Sequence, residues 1–356
     1  MKFFIYADPH WCQYSSILRS RGDKYSKRLE SEISTLNWIE SKAIEENCDC
    51  ILCLGDFFDK QLLNAEEISA LKEIKWNDLS HTFLVGNHEC GLGSLEYNSA
   101  EIFSLCPSAT IISKPSTFEI DNTQVVFLPY ILETDRKQIE EYLEETNKKR
   151  VIFSHNDIAG IQLGQIVSKN GFSIEEIENN CDLFINGHLH NGSKITNKII
   201  NLGNITGQNF SEDAFIYSHN AMVLDLDDLS YKLIINPYAL NFYKLDFTEK
   251  NGIDYINDVS NKIKNNAIVN VKVYADDSGI EYIKTRFLPD YEYKGFPKHC
   301  NIICGKLQLE YRKENTEVEE ESSLITTDYF QQFQKYIIDN VSSSDIIKEE
   351  LGNINQ

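Results

Sequence analysis

No apolar stretch in this sequence approaches the ~18 consecutive residues that a membrane-spanning helix requires. Its first segment, Met1-Lys2-Phe3-Phe4-Ile5-Tyr6-Ala7, reaches Asp8 before the apolar core of an export signal can form. Basic residues are scarce: 34 Lys plus Arg stand against 55 Asp plus Glu, a net charge of −21 over 356 residues. An acidic chain is repelled by polyphosphates unless local basic charge or bound cations reverse the sign. The nine cysteines are odd in number and lack paired zinc spacing. Cys48, Cys50 and Cys53 run into an apolar strand, and Cys300 and Cys304 stand alone. They are expected to be reduced, largely buried thiols. There are no internal repeats or low-complexity tracts. The expectation is a soluble, intracellular, acidic globular protein of about two domains at ~150 residues each.

With 42% hydrophobic and 11% aromatic residues, a sizeable core is possible. Short apolar β-type runs at residues 2–7, 50–54, 82–85, 124–128, 150–153, 182–185 and 198–202 alternate with helical patterns. Leu29, Ile33, Leu36, Ile39 and Ala43 recur at helical spacing, and further helices are expected over 65–75 and 135–147. This alternation predicts an α/β layered domain. The segments Asn220–Asp225 and Tyr231–Ile235, joined by an Asp-Asp-Leu-Ser turn, predict a hairpin that closes it. Beyond Pro237, β-patterned runs at 242–247, 268–274 and 280–286, with helical texture over 255–264, suggest a small α+β module. Residues 311–323 read as an acidic linker. The chain then carries an amphipathic pattern, Tyr329, Phe330, Phe333, Tyr336 and Ile337, followed by Ile346, Ile347 and Leu351. This suits a helix that folds back on its own core or one that docks a partner.

The chemistry lies at the ends of the strands. Asp8-Pro9-His10, Gly55-Asp56, Gly86-Asn87-His88-Glu89, Ser154-His155-Asn156 and Gly187-His188-Leu189-His190 each follow an apolar β-run. In open α/β sheets, ligands gather at the carboxyl ends of strands. Carboxylate and amide oxygens mixed with neutral imidazoles suit manganese, iron or zinc better than calcium. A carboxylate between two cations can bridge them, and Asp56 is the natural candidate. Arg19, Arg21, Lys24, Lys27 and Arg28 concentrate positive charge in one stretch, which is either a phosphate-contacting surface or an ordinary solvated helix start.

In that order these motifs resemble the calcineurin-type metallophosphoesterase superfamily, over most of residues 8–190. Within it, the chain is most similar to the nuclease subunit of the SbcCD type, including phage recombination endonuclease subunits. The basic stretch after the first motif, the segment Asn201-Leu202-Gly203-Asn204-Ile205-Thr206-Gly207-Gln208-Asn209-Phe210 and the module-plus-tail layout favour that branch. The resemblance implies a four-layer α-β-β-α sandwich over residues 1–238 and a small α+β DNA-binding cap over 239–310. It also implies a helical tail over 324–356 that docks an SbcC-type ATPase. One metal would be held by Asp8, His10, Asp56 and His190, the other by Asp56, Asn87, His155 and His188. Mn2+ is the expected ion, with Mg2+, Fe2+ or Zn2+ as alternatives.

His88 would be the catalytic acid, and Asp59 would hydrogen-bond it and fix its tautomer. The implied activity is metal-dependent hydrolysis of DNA by a homodimer in the cytoplasm, or in the host cytoplasm for a phage protein. Some features depart from that branch: Glu89 stands where Asp is more usual, and the first motif lacks a following Leu-Gly. These leave a protein phosphatase or small phosphodiesterase as the alternative. However, Gly-Asp-Phe-Phe-Asp-Lys-Gln carries no Arg-Gly, so the phosphatase's phosphate-binding arginine is absent. A DNA-end scaffold that does not cut is a further alternative, one with no physical need for two clustered cations.

Overall fold

The computed structural model describes residues 1–91, 93–163, 166–248, 262–264, 266–275 and 303–311. Two six-stranded sheets face each other. The first runs through β1 (Lys2–Tyr6), β2 (Cys50–Cys53), β3 (Ser80–Leu84) and β4 (Ala109–Ile112). The second contains β5 (Ser116–Ile120), β6 (Thr123–Leu128), β7 (Lys149–Ser154), β8 (Leu183–Asn186), β9 (Ser193–Lys194) and β10 (Ile199–Asn201). The hairpin of β11 (Asn220–Asp225) and β12 (Tyr231–Ile235) returns to the first sheet. Its strand order is therefore β12-β11-β1-β2-β3-β4, and that of the second is β9-β10-β8-β7-β6-β5. Strands β1 to β4 are mutually parallel, as are β6, β7, β8 and β10. Parallel pairing means that the carboxyl ends of all these strands emerge on one side of their sheet.

The apolar residues of each strand alternate between two cores. Phe3, Ile5, Leu52 and Leu84 of the first sheet meet Val125, Phe127, Val151, Phe153 and Ile185 of the second, forming the core between the sheets. On the outer face of the first sheet, helix α1 (Lys27–Glu45) lays down Leu29, Leu36, Ile39 and Ala43 against Phe4, Ile51 and Phe83. Ser26 caps α1, its side chain accepting from the Leu29 N–H. Helix α2 (Ala65–Ala70) is closed by a capping box in which Asn64 and Glu67 exchange bonds. Helix α3 (Ile174–Asn180) begins with the same device, Ser173 with Glu176, and covers the outer face of the second sheet through Ile177. The architecture is the expected α/β four-layer sandwich.

Some sequence expectations need correction. The helix expected over 135–147 is only a single 3-10 turn, Ile139–Tyr142. Side chains take the donors a longer helix would use: the Ile139 N–H goes to Glu176, and the Lys137 N–H to the Tyr142 hydroxyl. The helix expected over 65–75 stops at Ala70 and tightens into a 3-10 turn, Leu71–Glu73. Strand β4, strand β5 and helix α3 carry too few periodic apolar residues to stand out in the sequence. Among the described residues, seven cysteines are unpaired, and Cys48, Cys50 and Cys53 are buried, as expected. No described helix is long and apolar enough to cross a membrane.

A third sheet consists of β13 (Asn241–Thr248), β14 (Ala267–Ala275) and β15 (Ile303–Tyr311), with β13 and β14 parallel. The first two answer the β-patterned runs at 242–247 and 268–274; β15 had no counterpart in the sequence reading. The run at 280–286, most of the helical texture over 255–264, all but the first residue of the 311–323 linker and the whole 324–356 tail lie outside the described residues.

An aromatic block consolidates the outer core. Phe83 stacks on Phe103 with centroids 4.3 Å apart and meets Phe57 edge-on at 5.6 Å. Truncating Phe83 to Ala is expected to lower unfolding free energy by about 3–5 kcal/mol, the usual cost of a buried Phe deletion. Denaturant titration should show the midpoint falling with the slope unchanged.

Candidate metal centre

Backbone hydrogen bonding continues past the strand ends and carries the loops into register. The Asp8 N–H bonds the Gly55 carbonyl, His10 N–H that of Asp56 and Trp11 N–H that of Phe57, so the loops after β1 and β2 run side by side. In the second sheet, the His155 N–H bonds the Leu128 carbonyl and the Gly187 N–H that of Ser154. The loops then lock to one another, across the two sheets through Asp8 and within the first sheet through Asp56. Both Asp8 carboxylate oxygens accept the His188 N–H at 3.0 and 3.1 Å, and Asp56 Oδ1 accepts the His88 N–H at 2.9 Å.

Asp8, His10, Asp56 and His188 all adopt left-handed backbone conformations, with φ of 51°, 52°, 47° and 70°. L-residues pay for this geometry, about 1–3 kcal/mol each when the surroundings over-determine it, and it concentrates at functional sites. Glycines make room beside them. A Cβ on Gly86 would lie 2.1 Å from Asp56 Oδ1, and one on Gly55 would lie 2.4 Å from His155 Nδ1.

The side chains converge in three groups, of which His10, Asp56 and His88 form the one that shares a residue with each of the other two. Ligand atoms of Asp8, His10 and His190 lie within 4.8 Å of one another, as do those of Asp56, His155 and His188. His10 Nε2 and His190 Nε2 are 3.0 Å apart, and His155 Nε2 is 3.2 Å from Asp56 Oδ2 and 3.3 Å from Asn87 Oδ1. His10 Nε2, at 3.9 Å from Asp56 Oδ2, links the groups. Asp8, Asp56 and His155 are fully buried.

Hydrogen bonds fix the tautomers. The Leu54 carbonyl can only accept, so His155 Nδ1, 2.7 Å away, carries a proton and Nε2 is the ring atom turned toward Asp56 and Asn87. His190 Nδ1 lies 2.8 Å from Glu212 Oε1, which likewise leaves Nε2 as the donor atom. Burial opposes ionisation of Asp56, but His155, His10 and His88 outweigh it and hold the carboxyl well below the usual range. Buried carboxylates and imidazole Nε2 atoms gathered in one place form a donor set for divalent cations of borderline softness.

A family model described as calcineurin-like phosphoesterase matches residues 1–192. The chain belongs to that family. Calcineurin-like phosphoesterases use a dimetal centre, and the residues gathered here fit one. Among solved structures, the chain is similar to an archaeal phosphodiesterase (14% identity, 66% of this chain and 99% of that one, TM-score 0.36). It is also similar to a dimetal phosphatase from Danio rerio (14% identity, 66% and 98%, TM-score 0.40). A third is the purple acid phosphatase PPD1 from yellow lupin seeds (13% identity, 65% and 52%, TM-score 0.38). No curated protein sequence matches the chain.

Within this phosphoesterase, Asp59 and Arg28 differ from expectation. His88 Nδ1 does bond Asp59, but to its main-chain carbonyl at 2.8 Å. The Asp59 carboxylate stands 3.9 Å from His88 and 3.3 Å from His10 Nδ1. Arg28 is not a surface cation for a nucleic acid backbone. It is 1% exposed and forms an i,i+4 ion pair with Glu32 at 3.0 Å. Its Nη2 donates to the His10 carbonyl and to Gln208 Oε1. The i,i+4 pairing flanks Leu29 on the buried stripe of α1, a signal that the run of basic residues concealed. Arg19, Arg21, Lys24 and Lys27 are exposed, with Arg21 paired to Glu66 and Lys24 to Glu73.

Three acidic residues near the site escaped the sequence reading of roles. Glu89 is fully buried, its Oε1 accepting the Phe58 N–H at 2.9 Å and its Oε2 the Gly86 N–H at 2.7 Å. It clamps the loops after β2 and β3, and burial together with Asp56 pushes its pKa up to about 8. Asp157 Oδ1 lies 3.4 Å from His188 Nε2. Glu212 sits 22 residues beyond the histidine it touches, a separation that no local pattern can reveal.

Replacing Gly86 by Ala forces a methyl group to within 2.1 Å of Asp56 Oδ1 and 2.5 Å of its backbone nitrogen, so the carboxylate must shift. The expected result is a folded chain whose divalent-metal content falls by at least half, read by elemental analysis alongside a circular dichroism spectrum.

Proposed function

We propose that this phosphoesterase is a two-metal phosphodiesterase that cleaves DNA, working as a homodimer with an SbcC-type ATPase in end processing, recombination or repair. The observation that carries the catalytic reading is the convergence of Asp8, His10, Asp56, Asn87, His155, His188 and His190 from both sheets, with His88 half exposed beside them. Asp8, His10, Asp56 and His190 would hold one ion, and Asp56, Asn87, His155 and His188 the other, with Mn2+ as the proposed metal. Bound there, the ions would supply Lewis-acid charge and lower the pKa of a water nucleophile.

The protein's own part follows from His88. Its Nδ1 proton is committed to the Asp59 carbonyl, which can only accept, in both charge states of the ring. A proton given to a leaving alkoxide must therefore come from Nε2, and the ring that remains keeps its orientation. Departure of the 3′ oxygen would leave a 5′-phosphate.

A diester rather than a monoester is favoured by the cation inventory. A phosphate monoester dianion calls for an additional positive side chain beside the site. Lys60, next after Asp59, is instead held by the buried Glu67 carboxylate at 2.8 Å. Glu89 is enclosed between loops, so its departure from the nuclease pattern bears on packing rather than on substrate.

The test is Mn2+-dependent cleavage by the full chain of linear duplex and hairpin DNA, with p-nitrophenyl phosphate and cyclic nucleotides in parallel. DNA cleavage leaving 5′-phosphate ends is expected. Hydrolysis confined to the small substrates would favour the phosphatase or small-phosphodiesterase alternative, and no hydrolysis with both metals bound would favour the scaffold. His88→Ala is expected to reduce turnover about 100- to 10,000-fold, the usual contribution of a general acid. Metal content should be retained; loss of metal would contradict this division of roles. For the partner, deleting residues 324–356 is expected to abolish co-purification with the ATPase while sparing simple nuclease activity.

A further inference from the structure

The segment that follows the last histidines is a strap drawn across the floor of the metal centre. It begins where the Asn204 N–H bonds the His190 carbonyl and the Ile205 N–H bonds that of Ala7. It continues along β13, the Gly207 N–H meeting the Leu240 carbonyl and the Ala214 N–H that of Phe242. Near its far end lies Glu212, only 1% exposed. A buried carboxylate is costly unless its lone pairs are met by donors. Here both oxygens are fully engaged. Oε1 accepts from His190 Nδ1 at 2.8 Å and from Asn209 Nδ2 at 3.1 Å; Oε2 accepts from Asn204 Nδ2 at 2.8 Å and from the Gln208 N–H at 2.7 Å.

The strap is anchored from the opposite side as well. The Gln208 amide donates to the carbonyls of Pro9 and Thr206 and accepts from Arg28, whose guanidinium also holds the His10 carbonyl. One bonded chain, Glu32–Arg28–Gln208–Glu212–His190, thus grips both the Asp8-Pro9-His10 loop and the ring of His190.

We propose that Glu212 is the positioning residue of the Asp8–His10–His190 site: it holds the His190 proton on Nδ1 and aims Nε2 at the cation. This rests on the dimetal reading above and on no particular substrate. Carboxylate partners of this kind orient the ring and fix its tautomer, and their removal typically costs 10–100-fold in metal affinity. The Asp56–His155–His188 site has no contact with Glu212, so the effect should fall on one ion of the two.

The experiment uses the full chain, wild type, Glu212→Gln and Glu212→Asp, with Mn2+ alone as the probe. Calorimetric titration of the wild type should show two sites. In Glu212→Gln, which turns an amide toward donors, one site should weaken about 10–100-fold and the other remain unchanged. Glu212→Asp, which keeps the acceptor, should recover most of the loss. Long-range proton–nitrogen spectra of the metal-free, histidine-labelled chain give an independent readout: the Nδ1–H form of His190 should predominate in the wild type and yield to Nε2–H in Glu212→Gln. Unchanged affinities with an unchanged tautomer would overturn the proposal. So would equal weakening of both sites with a depressed melting temperature, which marks a general brace. A wild-type chain that binds no Mn2+ would refute the dimetal reading instead, and the tautomer would still decide the role of Glu212.

Discussion

Two carboxylates, Asp8 and Asp56, are buried within one cleft, and the rest of the structure answers the electrostatic demand they create. Ionised groups removed from water must find compensation in donors or cations. Each is given a backbone N–H from a neighbouring loop, His188 for Asp8 and His88 for Asp56, and a ring of imidazoles around it. The two sheets bring these loops together because their parallel strands all end on the side where the sheets converge. The sandwich core sets the spacing, while Glu89, Arg28 and Gln208 fasten the loops to one another below the cleft.

Much of this was legible in the sequence. Strands buried on both faces read as short continuous apolar runs, and β1, β2, β6, β7, β8 and β10 were found within a residue or two of their bounds. The reactive residues could be read because each sits one to four positions after such a run. Proximity to a strand end is a one-dimensional signal, and the topology turns it into a three-dimensional one. The weakly patterned elements were not legible: helix α3 buries a single isoleucine, and the 3-10 turn at Ile139 exists because Glu176 reaches over from another segment.

The supporting groups around the centre were harder to see, for physical reasons. Glu212 meets His190 through a strap whose course depends on β13, and nothing in its neighbourhood marks it as different from other acidic residues. Arg28 was misassigned because charge alone does not tell inward from outward; only its place on the buried stripe of α1 does. Asp59 was half understood. Its backbone serves His88 and its side chain faces His10, a division of labour that residue type cannot express.

The left-handed backbone at Asp8, His10, Asp56 and His188 bears on how the molecule folds. An unfolded chain has no reason to hold four such conformations at once, so the donor set exists only after the sheets have closed over their common core. Ions that bind only this completed arrangement draw the equilibrium toward it by mass action, adding stability that grows with the logarithm of their concentration. Metal supply would thus act as a thermodynamic governor on how much of the protein survives unfolding in the cell.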